Sequence, residues 1–380
     1  MTPVNVEGLE EFRAVVRDFA RTEILPHVRE WDDKAVFPRA VVERLGELGC
    51  MGILLPEKWG GAGLTYRHYI AILEELGAVE PGIALTVAAH NSLCTNHLFF
   101  FAPEEVKTRW LPGLASGKVI GAWGLTEPEA GSDSGATKTT AVRNDKGWVL
   151  NGSKNFITHA GLGGVVVAMA RTKPGTDHRG ISAFAVPLTA PGVTVGKHED
   201  KVGMRISDTA ALIFEDCQVG PEALLGKEGD GFIQAMEVLD GGRISIAALS
   251  VGIAKGALDA ALAYARQRRQ FGKPLAAFQA IRFKLADMAT QLEAARLLTT
   301  EAADAKDGGR KTTLISSQAK LYASEVAVHV AEEAVQIHGG YGYCKDYPVE
   351  KLWRDSKLCT IGEGTSEIQR LVIARELIGE

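Results

Sequence analysis

Trp148-Val149-Leu150-Asn151-Gly152-Ser153-Lys154-Asn155-Phe156-Ile157-Thr158 is the run that decides how this chain is read. Two strand-like arms flank Asn151-Gly152. Asn-Gly tolerates the positive φ of a type I′ turn, so the run predicts a β-hairpin. Working outward, Val165 to Ala170, Ile181 to Val186, Val193 to Val195 and Ala210 to Phe214 are further strand candidates, with turn signals between them. Together they predict a compact β-barrel or sandwich from about Val119 to about Gly226.

The flanks have another texture. Val6 to Trp31 spaces Leu9, Phe12, Val16, Phe19 and Ile24 among charges, a helical pattern. Shorter helices are expected from Pro38 to Leu48, Tyr66 to Leu76, Pro81 to about Phe101 and Pro103 to near Gly113. Beyond Gly229, long alanine-rich helices are expected over Phe232 to about Arg269, Phe278 to Ala305 and Thr312 to Ile337, and one more after Ser366. Long helices with short joints form antiparallel bundles. The expectation is an α+β chain of three domains: helices over 1–118, strands over 119–226 and a helical bundle over 227–380.

Composition narrows the function. Of 380 residues, 46% are hydrophobic and 23% charged, ordinary for globular domains. The net charge of −5 argues against nucleic acid as the main partner. No apolar run near the ~20 residues of a bilayer span is expected. Met1 to Glu11 is acidic and lacks the features of a secretory or transit leader, so the expected location is the cytoplasm, or the mitochondrial matrix for a processed chain. Cys50, Cys94, Cys217, Cys344 and Cys359 lack CxxC spacing and read as free thiols. The histidines lack ligand spacing, so no metal site is expected. No G-x-G-x-x-G occurs, which removes a Rossmann site.

Several stretches carry residues suited to chemistry. Trp123-Gly-Leu125-Thr126-Glu-Pro-Glu-Ala-Gly-Ser132-Asp133 is a loop of hydroxyls and backbone donors after an apolar strand. It suits a flat polar ring or a pyrophosphate; a plain surface loop would look the same. Phe156 and Thr158, two apart on a strand, share a face. In Leu239-Asp240-Gly241-Gly242-Arg243, each glycine costs a helix ~1 kcal/mol, which points to close approach by a helix or a ligand. Arg266, Arg268, Arg269 and Lys273 surround Gln270-Phe271-Gly272. That cluster fits helix-dipole compensation, a phosphate or a nucleic-acid patch. Gln336 to Gly342 is a glycine-rich helix end beside which a cofactor backbone can pass. Ser366 with Gln369 fits a capping box, so Glu363 sits just before a helix start, as a surface carboxylate or as a base.

In order and spacing these motifs resemble the acyl-CoA dehydrogenases, flavoenzymes that introduce a trans double bond between Cα and Cβ of an acyl-CoA. The markers are Leu-Thr-Glu-Pro-x-Ala-Gly-Ser-Asp at 125–133, Phe-Ile-Thr at 156–158, Arg-Arg-Gln-Phe-Gly at 268–272, His-Gly-Gly-x-Gly at 338–342 and Glu-Gly-Thr-Ser at 363–366. The resemblance runs nearly end to end and implies a C-terminal four-helix bundle. It implies that Glu363 is the base for the α-proton, with hydride passing from Cβ to flavin N5. Trp123, Leu125, Thr126, Phe156, Ile157 and Thr158 would line the flavin of FAD. Arg268, Gln270, Phe271 and Gln279 would reach the FAD of a neighbouring subunit, with Gln336, Gly339 and Gly340 near its adenosine half. Thr365 and Glu367 would touch the cofactor too. Ser132, counted with both cofactor and substrate, would join Asp240, Arg243 and Arg375 in holding CoA. A homotetramer reoxidised by electron-transfer flavoprotein, working in fatty acid β-oxidation, is the family expectation.

Departures sharpen this. Gly362 stands where many relatives carry an aromatic residue. Gly242 occupies the helix position at which long-chain and isovaleryl-type relatives place the base. No arginine occurs between Ala84 and Leu93, which argues against a glutaryl substrate, and Glu rather than Asp as base argues against nitroalkane oxidation. The expected substrate is a short- to medium-chain acyl-CoA, straight or branched. Two alternatives stand beside this: an acyl-CoA oxidase passing electrons to O2, usually longer at the C-terminus, and a non-catalytic DNA-binding member using the Arg266–Lys273 cluster.

Overall fold

The computed structural model describes residues 7–379; Val6, expected to start the first helix, lies outside them. The N-terminal helices are α1 (Leu9–Phe19), α2 (Val28–Lys34), α3 (Arg39–Glu47), α4 (Tyr66–Gly77), α5 (Pro81–Ala89), α6 (Asn96–Phe101) and α7 (Glu104–Ala115). A π-helical turn, His90–Thr95, carries α5 into α6 without a break. Such turns favour functional sites. Glu80 caps α5 by accepting from the Gly82 amide at 2.9 Å.

Eight strands follow: β1 (Ile120–Gly124), β2 (Thr140–Asn144), β3 (Gly147–Thr158), β4 (Gly164–Arg171), β5 (Ile181–Pro187), β6 (Val193–His198), β7 (Thr209–Val219) and β8 (Leu224–Leu225). They form one sheet in the order β6-β7-β3-β2-β4-β5-β8, with β1 parallel to β4. The sheet curls, so that Ala122, Trp148, Phe184 and Phe214 share one core. Both faces of β4 are buried. Val166 and Ala168 face that core, while Val165, Val167 and Met169 pack with Leu93 and Leu98. Burial on both faces explains an unbroken apolar run where alternation would otherwise be expected.

The expected hairpin at Asn151-Gly152 is corrected. β3 is one strand of 12 residues, and the turn lies earlier, at Asn144 to Gly147, joining β2 to β3. Asn151-Gly152 sits mid-strand, where the register with β7 shifts between Leu150 and Gly152. Gly152 has φ 143°, and a Cβ there would lie 2.6 Å from Thr139 Oγ1. The Asn151 side chain meanwhile pairs with Asp216 on β7 at 2.8 and 3.1 Å. A bulge and a tight turn call for the same permissive residues, so the dipeptide alone does not separate them.

The C-terminal helices are α8 (Gly231–Gln267), α9 (Gln279–Asp307), α10 (Thr313–His338), α11 (Val349–Cys359) and α12 (Ser366–Ile378). The first three pack on one another; α11 lies on α8 and α10, and α12 on α10. The expected C-terminal helical domain is there, with α11 as a further helix that was not foreseen. Between α8 and α9 a small hairpin, β9 (Arg269–Gln270) and β10 (Lys273–Pro274), turns at Phe271 (φ 51°) and Gly272 (φ 76°). Both values are positive, as a type I′ turn requires. α8 spans 37 residues and is apolar enough by composition to cross a membrane, contrary to expectation, but 67% of the relevant window is buried in the bundle. α4 and α5 pack on α8 as well, so the first and third helical sets share a core.

Candidate active site

Glu363 sits in a left-handed conformation (φ 54°), followed by Gly364 at 92°. Such a backbone is uncommon outside glycine, so it needs restraint. Lys320 Nζ on α10 donates to the Gly364 carbonyl at 2.6 Å. Gln369 Nε2 donates to Gly364 O at 3.0 Å and to Glu363 O at 3.3 Å. The helix cap is Thr365, whose hydroxyl accepts from the Ile368 amide at 3.3 Å. Ser366, expected as the cap, is already the first helical residue, and its buried hydroxyl has no partner. Gln369 closes no capping box: with Thr365 as the cap it lies one residue too far along, its Nε2 donates to the two carbonyls before the helix, and its Oε1 is left without a partner.

The Glu363 carboxylate turns inward over α8. Oε2 is buried without a hydrogen-bond partner. A Cβ on Gly242 would lie 2.0 Å from that oxygen and 3.2 Å from Leu93 Cδ2. Gly242 is therefore the space the carboxylate occupies, and Glu363 is no surface acid. Burial pushes its pKa up to about 7, against the opposing charges of Lys320 and Arg243. A carboxylate so poised is a competent base near neutrality. No hydrogen bond within the described residues engages the Glu363 amide, which leaves that N–H free for an oxygen of a ligand. The nearest atoms to a Cβ built at Gly362 belong to Leu358, at 3.6 to 3.9 Å, so a small side chain would fit there without a clash.

Arg243 is 5% exposed. Its Nη1 donates to Asp240 at 2.7 Å and to Ser317 Oγ at 3.4 Å, and Thr313 Oγ1 donates to the other Asp240 oxygen at 2.7 Å. Arg243 Nε is buried without a partner. Arg375 lies exposed on α12.

The β-domain contributes a second group. Asn155 N donates to Thr126 O at 2.9 Å, tying the loop after β1 to β3 just before Phe156 and Thr158. A bulge between Lys154 and Ile157 sets Phe156 at φ 56° and leaves its ring 64% exposed, with Thr158 half-buried. Ile157, expected at the cofactor, points its side chain into the β core instead, because the bulge moves it onto the inner face with Lys154; its carbonyl accepts the Ala160 amide at 3.4 Å. Leu125 is buried beside Leu93 and Leu239. Trp123 Nε1 donates to His97 Nδ1 at 3.2 Å, and His97 Nε2 meets Gln234 Oε1 at 3.1 Å. Burial lowers the His97 pKa to about 4, so the ring is neutral. Ser132 lines a cavity of about 470 Å³ with Asp133, Ser134, Asp177, His178 and Phe232.

A third group gathers Arg268, Gln270, Gly339 and Gly340 around a cavity of about 520 Å³, with Tyr264 and Tyr341. Arg268 lies 5.3 Å from the Tyr341 ring centre. Nothing stands within 4 Å of a Cβ built at Gly339 or Gly340, so their backbone faces open space. Phe271 is 92% exposed at the hairpin tip, and Gln279, Gln336 and Glu367 are exposed as well. The Thr365 hydroxyl is engaged in the cap.

Sequence reasoning missed the supports. Lys154 is fully buried and donates to Leu125 O at 3.2 Å and Glu127 at 2.6 Å; Glu127 also accepts the Lys138 and Thr139 amides. Lys320 was missed too, although it shares a helix face with Ser316, Ser317, Ala323 and Ala327, all buried. A lysine on such a face was the available signal. Among the described residues, no three His, Cys, Asp or Glu gather to hold a metal.

Family models for the N-terminal, middle and C-terminal domains of acyl-CoA dehydrogenase match residues 7–118, 122–217 and 229–378. The chain is 46% identical to the mitochondrial short-chain specific acyl-CoA dehydrogenase of Mus musculus, over 98% of this chain and 90% of that one. The butyryl-CoA dehydrogenase of Megasphaera elsdenii superposes with a TM-score of 0.97 at 43% identity, covering 100% of both chains. A chain in a structure of the electron transferring flavoprotein of Acidaminococcus fermentans superposes at 0.98 with 44% identity, again over 100% of both.

Proposed function

Because the chain belongs to the acyl-CoA dehydrogenase family, we propose that it dehydrogenates a short-chain acyl-CoA between Cα and Cβ, with Glu363 as the base. One observation carries this reading: a buried, unpartnered carboxylate seated on Gly242 with its pKa raised to about 7. Glu363 Oε2 takes the α-proton. The free Glu363 amide donates to the thioester oxygen, where negative charge develops as the proton leaves. Oε2 is enclosed while the residue as a whole is half-buried, so it is that oxygen whose basicity is directed at the substrate. Arg243, held by Asp240 and Ser317, offers its free Nε to the CoA portion, with Ser132 and Arg375 at the entrance.

The family uses FAD, and the residues present fit it. Thr126, Thr158 and the exposed Phe156 face present hydroxyls and an aromatic surface to a flat ring. The open backbone at Gly339 and Gly340, beside Arg268 in the 520 Å³ cavity, suits the adenosine and phosphate half. When bound, FAD supplies the acceptor for the hydride from Cβ. The exposed Phe271 hairpin and Gln279 are assigned to the cofactor of a neighbouring subunit, within a homotetramer, with Gln336, Thr365 and Glu367 as outer contacts. Electron-transfer flavoprotein is the assigned oxidant. The domains are taken as 1–118, 119–226 and 227–380, and the site of action as cytoplasm or mitochondrial matrix.

Support for a short chain comes from the mouse relative, named short-chain specific, and from the butyryl-CoA dehydrogenase likeness. Anaerobic mixing of the yellow enzyme with straight and branched esters, from butyryl- to palmitoyl-CoA, tests it. Flavin bleaching fastest with butyryl- or isobutyryl-CoA is expected; bleaching by none of them overturns the reading.

A further inference from the structure

Lys320, which ties down the Gly364 carbonyl, is fully buried on α10. Burying an ammonium costs several kcal/mol unless it is well paired. Lys320 can donate three hydrogen bonds, but among the described residues it makes one, to Gly364 O at 2.6 Å, and no salt bridge. That carbonyl already accepts from Gln369 at 3.0 Å. Satisfying one oxygen therefore does not account for a buried cation. Its position does, since Gly364 follows the base in the same left-handed turn.

We propose that Lys320 is a positioning residue for Glu363: its ammonium fastens the Gly364 carbonyl, holds the turn, and places an uncommitted positive charge behind the carboxylate. The inference rests on Glu363 being the base. The other cation near Glu363, Arg243, is already bound to Asp240 at 2.7 Å. Lys320 opposes the burial-driven rise of the Glu363 pKa more than Arg243 does. Burial lowers the Lys320 pKa to about 8, so its charge is present through the acid limb and fades above it, and wild-type and variant plateaus are compared just above pH 7. The other groups around the pair do not titrate near neutrality. Burial raises Tyr69 of α4 well above its usual value and Cys359 of α11 to about 11. Arg375 of α12 acts on Arg243, and Glu325 of α10 on Lys320 itself.

The test uses FAD-loaded enzyme and butyryl-CoA. Deuterium uptake at Cα and kcat/KM are followed against pH for wild type, Lys320→Met and Lys320→Gln. Wild type should show an acid limb near pH 7. In both variants loss of the charge should move that limb up by about one pH unit, as a nearby unit charge does. Lys320→Met also loses the tether, so its plateau should fall roughly tenfold or more while KM changes little. Lys320→Gln keeps a donor and should stay within about threefold of the wild-type plateau. Acid limbs that coincide with wild type overturn the proposal. If Lys320→Met does not fold, the limb of Lys320→Gln decides alone. A wild-type enzyme that exchanges no α-proton overturns the assignment of Glu363 instead, a result distinct from coincident limbs.

Discussion

Glu363 is destabilised in the form in which it works. Its pKa is near 4.5 when unfolded and about 7 when folded. A raised carboxyl pKa costs the native state nothing below the unfolded value and its full amount above the folded one, roughly 3 kcal/mol here. Glu363→Gln should therefore raise the melting temperature at pH 8.5 and leave it unchanged at pH 4.5, while α-proton exchange falls at least about a thousandfold. Melting curves and deuterium uptake on the same samples check both halves. Gly242→Ala is the complementary change. Alanine suits a helix better by about 1 kcal/mol, but its methyl would lie 2.0 Å from Glu363 Oε2. The variant should fold and melt normally, with kcat/KM down by about a hundredfold or more, because a displacement of about an ångström is that costly.

At the level of elements, composition and period carried most of the layout. Tyr66–Gly77, Thr313–His338 and Gly164–Arg171 lie within a few residues of where the pattern placed them. What was illegible depended on distant partners. Asn151-Gly152 reads as a turn until β7 is seen opposite it, with the Asp216 carboxylate accepting from the Asn151 side-chain amide and the Asp216 N–H donating back to it. Thr365 outcompetes Ser366 as cap because Lys320 and Gln369 set the chain direction before the helix. Of the candidate site, Glu363 and Arg243 were singled out from their motifs, and the structure brings these two side chains into one electrostatic neighbourhood. The buried supports, Lys154, His97 and Lys320, come from other elements and leave no local motif. The bulge gives a direct test. Gly152→Ala adds a Cβ at φ 143° and 2.6 Å from Thr139 Oγ1, and should cost about 2–4 kcal/mol. A melting temperature within a degree of wild type would show that the strand can relax.

Across the whole molecule, α1, α4 and α8 meet at one carboxylate. Glu75 of α4 accepts Arg13 at 2.8 Å and Arg17 at 3.0 Å from α1, and Lys255 of α8 lies 3.5 Å away. Burial pushes the Glu75 pKa up, but these cations outweigh it and hold it at about 2. A depressed carboxylate contributes stability above its unfolded pKa, near 4.5, and loses it as pH falls toward the folded value. Glu75→Gln should lower stability by about 2 kcal/mol at pH 7, allowing for the partly exposed arginines. The deficit should close as the pH is taken from 4.5 toward 2, which acid titrations followed by circular dichroism will show.

The 2.0 Å between Glu363 Oε2 and a Cβ on Gly242 also bears on ancestry. A carboxylate on α8 at this position and the carboxylate on the loop would compete for one volume, so a chain carrying both would hold neither as Glu363 is held here. Acquiring the helix residue first crowds the loop; losing the loop residue first leaves a dead enzyme. Descent from one arrangement to the other thus crosses a fitness valley, unless two codons change together. The position of the base should accordingly divide the family tree into a few old branches, instead of flickering among close cousins.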